Sequence, residues 1–108
     1  MIDYDFYKNV YFGENVDDDL QFKRLARKAE VIANKYTFGR ISKLKSGKLT
    51  NKSIKDVESD ETIESIKFTI CELIDYLHSP NKNDSEYDIV YSNLINTGLM
   101  YRGFINEE

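Results

Sequence analysis

Residues 17–39 read DDDLQFKRLARKAEVIANKYTFG, and the spacing within this stretch decides the fold. Asp17, Asp18 and Asp19 place negative charge where the free amide groups of a helix N-terminus are partly positive. Leu20, Leu25, Ala29, Ile32, Ala33 and Tyr36 then follow the three-and-four spacing of a buried helical face. Lys23, Arg24, Arg27, Lys28 and Lys35 fall mainly on the opposite side. Gly39 provides the stop, because glycine accepts the left-handed backbone that closes a helix. The stretch predicts one long amphipathic helix.

A second long helix follows downstream. It starts near Ser59 or Asp60, and Ile63, Ile66, Ile70, Leu73, Ile74 and Leu77 repeat at helical spacing until Pro80 forbids continuation. Its isoleucines and threonines would also suit a strand, but an unbroken patterned run of this length favours helix. Shorter elements flank the pair. At the N-terminus Asp3 can cap a short helix with Tyr4, Tyr7 and Tyr11 on one stripe before Gly13. From Ser85 onward Tyr87, Val90, Tyr91, Leu94 and Ile95 form a last stripe, ended by Gly98. Residues 40–58 lack regular apolar spacing and read as a polar loop around Gly47. The expectation is an all-α fold: a small helical bundle with two main antiparallel helices, shorter N- and C-terminal helices, and an extended C-terminal tail. Residues 1–98 form the helical domain and 99–108 the tail. That tail, LMYRGFINEE, is apolar and aromatic but too short and glycine-broken to bury itself. It either folds back on its own bundle or docks on another chain.

A chain of 108 residues with 41% hydrophobic and 13% aromatic side chains has room for one folded domain. No run approaches the roughly 20 apolar residues of a membrane span. The opening MIDYDFYKN is acidic and aromatic, where a secretory leader would be basic and then apolar. A single cysteine and a single histidine leave no disulfide and no zinc cluster to expect. The formal charge of -4 argues against a dedicated nucleic-acid binder. It is unevenly spread, however. Residues 1–56 carry 12 basic and 8 acidic groups, and residues 57–108 carry 3 and 11. Between Lys35 and Lys55 there are cations but no acid, with Arg40, Lys43, Lys45, Lys48 and Lys52 at the centre. Such a run is either a solvated loop, a phosphate contact, or a contact with the acidic half of another copy.

Catalytic chemistry is not legible. His78 sits at a predicted helix C-terminus, where the helix dipole accounts for it. Cys71 lies beside an apolar stripe and reads as a small buried side chain. Ser46–Thr50 brushes against a phosphate loop but lacks the upstream glycine, and Leu49 occupies the hydroxyl position. The aspartate run lacks the alternating ligands and closing glutamate of a calcium loop. The chain is therefore expected not to be an enzyme and to carry no metal or cofactor.

Four pieces, in order, bear a resemblance to a known family: YDFYKNVYFG (4–13), DDDLQFKRLARKAEVIANKYTFGR (17–40), ETIESIKFTICELIDYL (61–77) and NLINTGLMYRG (93–103). Together they resemble the small head–tail connector (adaptor) proteins of tailed bacteriophages infecting Gram-positive hosts. The KYTFGR exit of the long helix and the NTGLMYRG terminus are the most specific parts. Many relatives carry a longer polar insert before the last helix, where this chain has only HSPNKNDSEY. The resemblance implies an all-helical virion protein of the neck, made in the host cytoplasm. It further implies a homo-oligomeric ring of about a dozen copies with heterologous contacts between neighbours. The ring would sit beneath the portal protein, extend the channel for viral DNA without sequence-specific binding, and receive a stopper or tail terminator next. The C-terminal segment would reach the portal through Leu99, Met100, Tyr101, Arg102, Phe104 and Ile105. Arg40, Lys43, Lys45, Lys48 and Lys52 would meet the acidic half of a neighbouring subunit. The alternative is a small helical DNA-binding regulator using the basic 35–55 segment, although no compact turn presents a recognition helix.

Overall fold

The computed structural model describes residues 2–45, 60–80 and 84–101, the side chain of Asp60 excepted. Helix α1 spans Tyr4–Asn9, α2 Asp19–Tyr36, α3 Arg40–Lys45, α4 Asp60–His78 and α5 Glu86–Leu94, and a 3-10 turn covers Ile95–Thr97. The described residues contain no strand. The molecule is an all-α small bundle in which α2 and α4 form the main packing pair and α5 lies against α4.

Local chemistry fixes the helix starts. Asp3 accepts a hydrogen bond from the Phe6 amide (2.8 Å), Asp18 from the Gln21 amide (3.1 Å), and Ser85 from the Asp88 amide (3.1 Å). Each cap satisfies an amide that the first helical turn leaves without a partner. Helix α2 ends in a Schellman closure: the Gly39 amide donates to the Asn34 carbonyl (2.9 Å) and the Phe38 amide to that of Lys35 (3.4 Å). Both Phe38 (φ 57°) and Gly39 (φ 78°) are left-handed, so the closing residue proper is a phenylalanine. Gly13 does not terminate α1, which ends at Asn9. It is buried under Tyr7, whose ring a Cβ at this position would strike.

Three expectations are corrected. The segment from residue 40 is not a loop from its start, because Arg40–Lys45 forms α3 with Ile41 buried. Residues 46–59 lie outside the described residues. On α2 the buried face is led by Phe22 with Ala29 and Ala33, while Leu20 is 57% exposed. The aromatic rings of Tyr4 and Tyr7, 5.4 and 5.6 Å from that of Phe22, draw this side chain inward and set the phase of the helix. On α5 the buried residues are Ile89, Val90 and Leu94. Tyr87, Tyr91 and Ile95 stand outward, with Tyr87 edge-on to Tyr36 at 5.4 Å.

Helix α4 is enclosed over most of its circumference: Thr62, Ile66, Thr69, Ile70, Cys71, Leu73 and Ile74 are all buried. Ala29 and Ala33 present small side chains from α2, and so permit close approach of the two backbones. Burying Ile66, Ile70, Leu73 and Ile74 contributes roughly 1.5–3 kcal/mol each before the entropy of ordering is set against it. No helix of the described residues is long and apolar enough to cross a membrane.

Candidate interaction surfaces

The C-terminal strip divides within a few residues. Leu99 is fully buried in its own bundle, Met100 is half-buried, and Tyr101 is 63% exposed. Leu99 is held by Arg40, whose Nη1 donates to the Leu99 carbonyl at 2.7 Å in a buried position. Gly98, at φ 83°, turns the chain into this contact, and the Tyr101 amide closes the turn on the Gly98 carbonyl (3.1 Å). Leu99 is thus a core residue rather than a docking residue, and the tail begins by folding back on its own domain. Arg102, Phe104 and Ile105 lie outside the described residues.

Arg40 is likewise corrected. It is 1% exposed, with its guanidinium 5.1 Å from the Phe38 ring centre, and so cannot present charge to a neighbouring subunit. Lys45 is paired with Glu30. Burial is the largest single influence on the Glu30 carboxyl and pushes it upward, but the hydrogen bond and charge of Lys45, acting with other nearby positive charge, together outweigh it and leave the group below its ordinary value. Lys43 is half-buried on α3. Lys48 and Lys52 lie outside the described residues. Among the described residues, Arg40, Lys43 and Lys45 are therefore not gathered into one exposed patch.

A polar network that sequence spacing did not reveal joins α1 to α4. Tyr7, fully buried, donates to Asp75 Oδ1 (2.6 Å), and Tyr11 donates to Asp75 Oδ2 (3.0 Å). The Val16 amide donates in turn to the Tyr7 hydroxyl (3.2 Å). Burial, together with the adjoining carboxylate, raises both phenols well above their ordinary range. A pocket bounded by Tyr11, Asn15, Glu72, Asp75, Tyr76 and Ser79 opens beside the network. Among the described residues no group of three or more His, Cys, Asp or Glu could hold a metal. Cys71 is buried, and burial with Asp75 and Glu72 nearby pushes its thiol up to about 12, away from the reactive thiolate. His78 Nδ1 lies 2.9 Å from the neighbouring Ser79 hydroxyl in an exposed position.

Two further surfaces have an unpartnered character. A groove of about 610 Å³ runs along the outer side of α2 onto the end of α4, lined by Arg24, Arg27, Lys28, Val31, Ile32 and Leu77. Its apolar floor includes Val31, 66% exposed. Near the start of α4 a second depression is lined by Glu61, Glu64, Ser65 and Phe68. Neither the three cations of the first nor the two carboxylates of the second form an ion pair among the described residues. Their helical spacing was visible in the sequence, but which flanks stay uncovered depends on where α1 and α5 pack.

Comparison of the chain with protein-family models, with curated proteins and with solved structures found no match in any of the three.

Proposed function

We propose that the chain is a structural virion subunit, a head–tail connector of a tailed bacteriophage, acting as a ring of about a dozen copies under the portal. In this reading the ring lengthens the DNA channel in the neck, joins head to tail, and offers its distal face to a stopper or tail terminator. No chemistry is required of it: the subunit acts by surface complementarity, and its excess of acid repels passing DNA instead of holding it. The observation that carries the reading is the Arg40–Leu99 contact. It fixes the chain immediately before a segment containing Arg102, Phe104 and Ile105. A docking strip whose root is already ordered loses less freedom on binding. Met100, Tyr101, Arg102, Phe104 and Ile105 are the proposed portal contacts, with Leu99 as their internal anchor.

The rival is a small DNA-binding regulator. It draws support from the exposed cations Lys23, Arg24, Arg27 and Lys28 on α2. Against it, Arg40 and Lys45 of the basic segment are already engaged within the chain. The deciding experiment mixes the purified chain with the portal protein encoded by the same genome and measures mass in solution. Co-migration that is lost on deleting residues 102–108, with helical content and melting unchanged, is the expected result. Co-migration indifferent to the deletion, or none with the intact chain, overturns the proposal. Sub-micromolar binding of duplex DNA with a steep salt slope would select the regulator instead.

A further inference from the structure

The cation-rimmed groove and the acidic depression lie toward opposite ends of α4. Leu77, in the groove, stands sixteen residues beyond Glu61, about 24 Å along the helix at 1.5 Å per residue. No ion pair joins the two surfaces among the described residues. Each surface combines charge with apolar area. Val31, Ile32 and Leu77 floor the groove between Arg24, Arg27 and Lys28, and the half-buried Phe68 lies beside Glu61 and Glu64.

We infer that the groove receives the acidic depression of a second copy of this chain, a head-to-tail contact between unlike surfaces. Charge complementarity selects the occupant: three cations with no ion pair among the described residues meet two carboxylates with none, and the open edge of Phe68, whose ring packs on Phe6 and Tyr11 in its own chain, meets the apolar floor. Two different patches on one subunit give a heterologous interface, which closes into a ring when the rotation per copy permits. The inference rests on the ring reading and names its subunit contact. It moves that contact from the 40–52 segment to the outer face of α2.

Charge reversal provides the test. One variant carries Arg24→Glu and Arg27→Glu, and a second carries Glu61→Lys and Glu64→Lys. All four positions are exposed on helices, so both variants are expected to keep the helical content and melting of the parent. Self-association is followed by sedimentation from micromolar to millimolar protein at low salt. The parent should associate with rising concentration, each variant alone should associate at least about tenfold more weakly, and an equimolar mixture of the two should recover. The chain bearing all four reversals should also recover, since both surfaces have then exchanged sign. A parent that stays monomeric throughout overturns the inference, as does a mixture no stronger than its components. Loss of association on deleting residues 102–108, with the Glu61/Glu64 variant unaffected, would assign the groove to the C-terminal segment and likewise overturn it. Portal binding is scored separately, so a failed connector reading and a failed groove contact give different results.

Discussion

Arg40 shows how one side chain can join distant parts of a small fold. Its guanidinium is enclosed beside the Phe38 ring and donates to the carbonyl of a residue 59 positions away. A buried cation is tolerated only when its donors are satisfied, and the Leu99 carbonyl in turn has no water to fall back on. Replacing Arg40 by Met keeps much of the side-chain volume but removes the donor, and should lower stability by about 1–3 kcal/mol. Urea unfolding reads this as a lower midpoint at an unchanged slope. The same change at exposed Lys28 should leave the midpoint where it was. Sequence alone gives Arg40 no special status, because it opens a run with Lys43 and Lys45 and its partner is remote. Leu99 was legible as an apolar residue in search of cover. That the cover comes from its own bundle depends on the turn at Gly98 and on this one hydrogen bond.

At the scale of the helices, the ends were easier to read than the faces. Caps are local: Asp3, Asp18 and Ser85 each bond an amide three residues on, and the sequence marked all three helix starts, naming Asp3 as a cap, Asp18 as part of an acidic run and Ser85 as the start of a stripe. Burial is not local. Leu20 and Phe22 are both apolar, and packing from other elements, including the rings of Tyr4 and Tyr7, accompanies the inward turn of Phe22. On α5, tyrosines that suit a buried stripe stay outside because Ile89 and Val90 fill the space against the core. The start of α3 was missed because six residues offer too little periodicity to register. Two described residues that follow helices are strained, Phe12 (φ 61°) in the connection after α1 and Phe38 (φ 57°) in the closure of α2, both in a region that costs an L-residue roughly 1–2 kcal/mol. Their compensation differs. Phe12 is 74% exposed, and its ring stacks on no other described ring, whereas the Phe38 ring lies against the Arg40 guanidinium. Asn tolerates the left-handed region, so Phe12→Asn should stabilise the protein by about 0.5–1 kcal/mol. Phe38→Asn should give no such gain, since relief of the backbone is offset by uncovering Arg40. Paired urea titrations of the two variants separate these outcomes, and an equal gain in both would show that the Phe38 ring contributes nothing to holding Arg40.

For the whole molecule, the buried weak acids set the condition under which the bundle fails. Tyr7 and Tyr11 of the N-terminal segment converge on Asp75, and Cys71 lies one turn before it on α4. Burial, reinforced by the Asp75 carboxylate, raises all three above their unfolded values of 10.0 for tyrosine and 9.0 for cysteine. Below about pH 9 these groups are protonated whether the chain is folded or not, and their contribution to stability is fully present. As pH rises beyond that value the unfolded chain releases protons first, while the folded chain keeps them. The folded state then binds more protons than the unfolded one, so stability falls with increasing pH through the window up to the raised folded values. The melting temperature should therefore decline from about pH 9 upward, steepening near pH 10 as the tyrosines join the cysteine. Phenolate absorbance provides the independent check: two of the eight tyrosines should ionise only together with loss of the helical signal. Tyr7→Phe should abolish part of that coupled step while leaving the Val16 amide without its acceptor, so it lowers stability at neutral pH and flattens the alkaline slope. Alkaline melting identical in the parent and in Tyr7→Phe would mean that the Asp75 network does not join the N-terminal helix to α4, and that aromatic packing alone holds α1 in place.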